Sequence, residues 1–411
     1  MASSIIQKIY TAASVVEQKV AVTTVETRLV IVALALLILF IRMPFTFVRP
    51  EFWAEDGLLI SDAYNNGWAS LTQPLGGIYL NFYGSLVANI AVQFSAHWWP
   101  WISIYGAHFA ALLTVFLVTS SRFDLPYKAI AALAAVATPA SRDSILGALA
   151  NAQWVLPLGL VVLLFSRASR TWFVLLLEMI FVGVVALEGP LGIFLVPMFI
   201  YRSWATKSEE RNRLMALTAI LIVGSAIQSI FVAKKLGVFD LVQPHEYDPL
   251  LWITIPLRWL DAVRFLVDLV GHSLLGAIVV IVAGVGLVWF SLQRPYRTLK
   301  ITMLIFASAI LYSGMFKYRA DLNFKGNDRY VYIGSVFFFW FLCIWATSAR
   351  NLRSIVVGTA MILIIAGVAR RANDHRANAQ MPWSHFEARV GTGPISIPIA
   401  PYDAWKVTLT R

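Results

Sequence analysis

Long apolar runs separated by short polar connections dominate this chain, and a helix needs about 20 apolar residues to cross a bilayer. Between Leu29 and Ala369 the pattern marks out about eleven such segments. The first runs from Leu29 to Met43 and enters a polar stretch, Pro44 to Leu80, that carries Arg49, Glu51, Glu55, Asp56 and Asp62. The next run, Asn81 to Phe94, is interrupted by Asn81, Asn89 and Gln93 and ends at His97-Trp98-Trp99-Pro100-Trp101. Tryptophans so placed mark a membrane–water interface, so this run reads as a surface helix and the second span starts at Ile102. The expected architecture is an all-α polytopic membrane protein. It comprises a bundle of about 11 transmembrane helices with a long first extracytoplasmic loop, 44–101, that contains surface helices. The N-terminal segment 1–28 reads as an amphipathic helix, 29–369 as the membrane domain and 370–411 as a short tail.

Composition agrees with this class. The chain of 411 residues is 59% hydrophobic and 13% charged, with a mean hydropathy of +0.72, which no soluble domain of this size sustains. Its net charge of +11 is dispersed over short connections rather than gathered on one face, which argues against a nucleic-acid partner. One cysteine, Cys343, lies inside an apolar run, so there is no disulfide framework and no thiolate metal site. The charge asymmetry sets an orientation. With the N-terminus inside, the connections at Arg122–Lys128, Arg167–Arg170, Arg202–Arg213, Gln293–Lys300 and Arg350–Arg353 are all basic and cytoplasmic. The opposite connections hold most of the acids, and the tail emerges on that outer side. Treating Asn81 to Phe94 as a span would reverse every later loop and break the pattern.

Candidate chemistry collects on the outer side. Glu55 and Asp56, in Phe52-Trp53-Ala54-Glu55-Asp56-Gly57, sit just past the first span, where an ionisable group is costly unless solvated, paired or functional. The plain alternative is a solvated turn ending in Gly57. The segment Phe316 to Tyr330 breaks the positive-inside pattern with Lys317, Arg319, Lys325 and Arg329 interleaved with aromatic rings, including Tyr330. Guanidinium forks and ammonium groups at headgroup level suit a lipid phosphate or pyrophosphate, and the competing reading is a snorkelled basic anchor. Asn151, Gln153 and Trp154 place two amides and an indole at a helix entrance, a set that bonds hydroxyls and stacks on a pyranose, or else simply bonds between helices. Arg142 and Asp143 lie in another outer connection, and Glu188-Gly189-Pro190 reads as a broken helix aimed at a cavity, or as a loop carboxylate. Arg142, Asp143 and Glu188 are, with Asn151, Gln153 and Trp154, the candidate sugar- or acceptor-binding residues. The segment Pro394 to Pro401 with Trp405 reads as an extended cap or an unpaired tail.

Several chemistries lack their signatures. There is no Gly-x-x-x-x-Gly-Lys-Ser/Thr loop, dinucleotide fingerprint, His-Glu-x-x-His, Cys-x-x-Cys or Gly-x-Ser-x-Gly. What remains is acid–base and electrostatic catalysis by carboxylates on a lipid-borne substrate with a phosphate leaving group. Hard carboxylate oxygens suit magnesium, manganese or calcium, but two carboxylates alone do not demand a metal.

At this point the chain resembles the GT-C superfamily of integral-membrane glycosyltransferases. The likeness rests on Trp53-Ala54-Glu55-Asp56-Gly57 in the first outer loop, Asn151-Ala152-Gln153-Trp154, Glu188-Gly189-Pro190-Leu191-Gly192, Gly326-Asn327-Asp328-Arg329-Tyr330 and the Ile397-Pro398-Ile399 tail. These are similar to small bacterial members, including phage-type O-antigen glucosyltransferases. The resemblance implies a multi-pass enzyme of the bacterial inner membrane that moves a sugar from a polyprenyl phosphate donor to an envelope glycan on the extracytoplasmic face. It implies Asp56 or Glu55 as general base and places Arg329 and Tyr330 near the donor phosphate. The large soluble C-terminal domain of many members is absent from this sequence. Two rivals stand beside it. A lipid-linked sugar flippase would place charges inside spans, and a non-catalytic assembly scaffold would tolerate loss of the acids.

Overall fold

The first helix shows how local chemistry sets the boundaries. α1 (Val25–Arg42) starts where the Thr24 hydroxyl accepts from the Thr27 N–H at 3.3 Å, with Glu26 in its first turn and Arg42 in its last. That capping residue and those charges complement the helix dipole, and α1 stops before Met43, whose backbone is restricted by Pro44. In this computed structural model the described residues are 24–138, 143–207, 209–236, 274–318, 329–348, 350–369, 382–399 and 405–410. Residues 25–28 belong to the first helix; the rest of the expected N-terminal amphipathic segment lies outside the described residues, apart from Thr24.

The first outer loop is itself helical. After α2 (Pro44–Val48) come α3 (Asp56–Asn66), closed by Gly67 at φ +58°, a 3-10 turn over Gly67–Thr72, and α4 (Phe82–Ala91). α4 has 10 residues and is about 15 Å long, half of the ~30 Å hydrocarbon core, so it is too short to be a span. α5 (Trp99–Val118) begins three residues before the expected Ile102, because Pro100 fits a first helical turn.

Eleven spans are not what the described residues contain. α6 (Lys128–Ala137), α7 (Asp143–Leu146), α8 (Ala152–Val155), α9 (Pro157–Phe165), α10 (Trp172–Ala186) and α11 (Val196–Ala205) are short. They are followed by α12 (Glu209–Leu236), α13 (Leu274–Leu292), α14 (Arg297–Tyr318), α15 (Arg329–Ser348) and α16 (Arg353–Ala369). Among the described residues, three helices are long and apolar enough to cross a membrane: Ala96–Val118, Glu210–Lys235 and Arg329–Ser348. Pro157, Pro190 and Pro197 each open a new helical segment, so apolar runs that read as single spans are divided.

The connections nevertheless sort to two ends, as the charge pattern predicts. At one end Phe123 pairs with Ser166 in an isolated bridge, the Arg122 Nε donates to Arg167 O at 2.7 Å, and the Arg353 guanidinium meets the Tyr127 hydroxyl. Arg122 and Arg213 both grip Glu178, the latter at 2.7 Å, which keeps a buried carboxylate paired. At the other end lie α3, α4, the 187–189 connection and the start of α15. α15 is the central helix. Its Tyr332 hydroxyl donates to Ala135 O at 2.7 Å and its Trp340 indole to Ala131 O at 3.0 Å, an approach that the alanines of α6 permit. Outward faces carry exposed Leu29, Leu37, Phe173, Ile180, Val223 and Ile230, which suits a lipid-facing belt.

The tail is not an unpaired extension. β1 (Ile395–Pro398) pairs antiparallel with β2 (Lys406–Leu409), a small addition to a fold that is otherwise helical, and Ile397, Val407 and Leu409 join Phe52, Leu59 and Ile60 in a second apolar core beside α3.

Candidate active site

The acid pair sits on a strained turn. Ala54, immediately before Glu55, holds φ +43°, a region that costs a non-glycine residue of order 1 kcal/mol or more and recurs at functional sites. The turn closes through Asp56 N–H to Trp53 O at 2.9 Å and Gly57 N–H to Ala54 O at 3.1 Å, then continues into α3. Its two carboxylates diverge. Asp56 is 1% exposed and its Oδ1 accepts from the Ala150 N–H at 2.9 Å, whereas the Glu55 side chain is 24% exposed and its Oε1 meets Arg329 Nη1 at 3.3 Å. Arg329 is the first residue of α15 and lies 274 positions away in the chain.

From there the contacts run through the remaining candidates. The Arg329 guanidinium lies 5.8 Å from the Tyr330 ring centre, and Tyr330 meets Trp154 edge-on at 4.8 Å. The adjacent Gln153 donates from Nε2 to the Tyr79 hydroxyl at 3.0 Å and to Ala150 O at 3.2 Å. Ala150 O also accepts from Asn81 Nδ2 at 2.9 Å. One backbone unit, Ala150, thus ties Asp56, Gln153 and Asn81 together. Asn151, next along, is buried at the end of a 3-10 turn.

Glu188 completes the group. It follows α10 and is fully buried; its Oε2 accepts from the Tyr83 N–H at 2.6 Å and the Gly84 N–H at 3.4 Å, at the start of α4. Burial pushes its carboxyl up to about 8, against the lowering effect of those two backbone bonds. Tyr79 is pushed upward by burial too, with Gln153 and Arg329 opposing and Glu55 and Glu188 reinforcing, which places its phenol within reach of all four. Gly189 is at φ +82°, and a Cβ there would overlap Gln153 Oε1, so glycine is required on both counts.

The structure therefore brings together Glu55, Asp56, Asn151, Gln153, Trp154, Glu188, Arg329 and Tyr330. Arg142, Arg319 and Lys325 lie outside the described residues, as do the side chains of Asp143, at the start of α7, and Lys317, in the last turn of α14. The sequence reading missed Tyr79, which has no motif around it, and Gln228, whose amide brackets Leu80 by accepting from its N–H at 3.0 Å and donating to its carbonyl at 2.9 Å. A lone buried amide in the apolar run of α12 was the available signal. For a divalent cation the hard carboxylate oxygens of Glu55 and Asp56 are the right donor type. Among the described residues no three His, Cys, Asp or Glu side chains come together, and Glu55 and Asp56 are engaged by Arg329 and Ala150.

No family model matches this chain, and no curated protein matches it. Among solved structures it is similar to the Archaeoglobus fulgidus oligosaccharyltransferase, crystallised in complex with Zn and sulfate, at 14% identity and a TM-score of 0.42. The similarity covers 87% of this chain and 56% of that one, so the chain spans just over half the length of that protein.

Proposed function

We propose that this chain is a multi-pass membrane glycosyltransferase that moves a sugar, a hexose such as glucose, from a polyprenyl phosphate donor to an envelope glycan acceptor on the extracytoplasmic face of a bacterial inner membrane. The observation that carries this reading is the 3.3 Å pairing of Glu55 with Arg329, which sets a candidate base beside a candidate phosphate-binding fork. Both side chains remain about a quarter exposed, at 24% and 23%, so substrate can reach them. Arg329 takes the donor phosphate; the exchange of one anion for another on its guanidinium releases the Glu55 carboxylate. Glu55 then accepts the proton of an acceptor hydroxyl as that oxygen attacks the anomeric carbon. The bond from anomeric carbon to phosphate oxygen breaks, and polyprenyl phosphate departs with the electron pair against Arg329. Asp56, bound to Ala150 N–H, holds the turn in register. Lys317, Arg319 and Lys325 are proposed to add positive charge along the donor, and Asn151, Gln153, Trp154, Arg142 and Asp143 to line the sugar side.

The test is transfer of labelled hexose from purified polyprenyl phosphate sugars to envelope glycan. Glu55→Gln is expected to lose about 100- to 10,000-fold in turnover, the usual contribution of a positioned base. Asp56→Asn keeps an acceptor oxygen for the Ala150 N–H, so it is expected to fold and to lose activity less steeply. Wild-type rates in both variants would remove the acid pair from the chemistry, and movement of intact lipid-linked sugar across vesicles without transfer would favour the flippase.

A further inference from the structure

The N-terminal end of α4 is capped from far away in the chain. Backbone bonds join the two segments as a short strap: Asn81 pairs with Glu188 in an isolated bridge, Phe82 N–H reaches Leu187 O at 3.2 Å, and Gly189 N–H reaches Leu80 O at 2.8 Å. At the centre of the strap Glu188 is 0% exposed and offers Oε2 to two N–H groups of the first turn of α4. A carboxylate there would satisfy the helix end as a capping group does.

Two oxygens remain unmatched. Glu188 Oε1 and Asn81 Oδ1 are both buried and, among the described residues, have no donor. Gly84 lies against both side chains: a Cβ there would overlap Asn81 Oδ1, and its N–H donates to Glu188 Oε2 at 3.4 Å. An ionised carboxylate buried with one oxygen unmatched would bear the desolvation cost in full. A single proton on Oε1 removes that charge. The ionisable groups facing Glu188 are Tyr83 on α4 and Tyr79 on the preceding loop, with Glu55 and Arg329 beyond Tyr79, and among the described residues no cation is bonded to Glu188.

We infer that Glu188 is a positioning residue: a neutral carboxylic acid that staples the 79–84 strap to the 187–189 connection and so holds Tyr79 and Gln153 against the Glu55–Arg329 pair, without itself contacting sugar. The strap leaves Tyr79 accepting from Gln153, with its own hydroxyl proton available to a substrate oxygen. Its kinetic consequence rests on the transferase reading above; its protonation state does not.

The experiment therefore has two arms, on full-length protein in detergent or lipid. Infrared difference spectra of wild type against Glu188→Gln should show a protonated carboxyl C=O stretch at neutral pH that converts to carboxylate bands as pH passes about 8. Because the folded carboxyl titrates above its unfolded value, its contribution to stability is complete below the ordinary carboxylate range and is lost as pH rises through about 8, a slope that Glu188→Gln should flatten. In transfer assays Glu188→Gln, a neutral isostere that keeps an acceptor for Tyr83 N–H, should stay near wild-type kcat and KM. Glu188→Ala should lose about 100-fold in kcat/KM, mainly through KM, as a misplacement of about 1 Å would. Carboxylate bands at neutral pH, or a Gln variant as impaired as the Ala variant, would overturn the proposal. If wild type transfers no sugar, the transferase reading fails while the infrared arm still decides the protonation of Glu188.

Discussion

At the scale of single residues the question is what Arg329 does that a simpler cation could not. It meets Glu55 through Nη1, and its guanidinium lies over the edge of an aromatic group formed by Tyr330 and Trp154. A planar fork presents paired N–H groups to either a carboxylate or a phosphate in fixed geometry, whereas an ammonium is a point charge with no fixed geometry. Arg329→Lys is therefore expected to lose at least about tenfold in kcat/KM for the donor and to become insensitive to further change to Ala. A nonspecific anchor predicts the opposite, near-normal kinetics in the lysine form with loss only in Arg329→Ala, and donor titrations at fixed acceptor tell the two apart. The sequence could nominate both charges but not their partnership. Nothing local encodes a pairing across 274 positions, and Tyr79 gains its role only once Gln153 is folded against it.

At the scale of elements, α3 is the part whose surroundings were least legible. Its segment read as part of a polar outer stretch with surface helices, and Asp56, Ser61, Asp62 and Asn65 are among its polar positions. Three of those polar groups in fact face structure: Ser61 Oγ accepts from Thr408 N–H at 2.8 Å, Asn65 Oδ1 from Thr410 N–H at 2.8 Å, and Asp56 from Ala150. The tail hairpin thus docks along the helix that opens with the acid pair, and Trp383 N–H donates to Glu51 Oε2 at 2.8 Å just upstream. The alternation of Ile395 and Ile397 was visible, but a strand of four residues has no readable partner until the chain folds back. Gly57 fixes how closely the two approach. A Cβ there would overlap Ile399 Cδ1 and lie 3.1 Å from the Lys406 backbone oxygen; the side chain can yield, the backbone less so. Gly57→Ala should therefore destabilise by about 1–3 kcal/mol and expose the tail to protease, and Gly57→Ala with Ile399→Ala should recover part of that protection. Thermal unfolding and limited proteolysis read both effects; a tail equally protected in all three forms would mean that it does not depend on this contact.

At the scale of the whole molecule, charge and hydropathy carry different amounts of information. Hydropathy reported apolar runs but not where Pro157, Pro190 and Pro197 divide them; among the described residues three helices are of membrane length. Charge reported which connections share an end. Among the described residues, those read as inner meet around Glu178, Ser166 and Tyr127, and at the other end Arg329 meets Glu55 while Asp56 accepts from Ala150. The fold thus separates two ends by its own packing, and only the assignment of each end to a compartment rests on the positive-inside rule. Thr72, exposed in the turn Gly67–Thr72, marks the end with the acid pair, and Arg170, exposed beside the Arg122–Arg167 contact, marks the other. With the buried Cys343 first changed to Ser, Thr72→Cys should react with a membrane-impermeant thiol reagent on intact cells, and Arg170→Cys only after permeabilisation. Reversed labelling would put the Glu55–Arg329 pair on the cytoplasmic face, where a polyprenyl phosphate sugar destined for an outer glycan could not be used, so the topology and the proposed reaction would fall together.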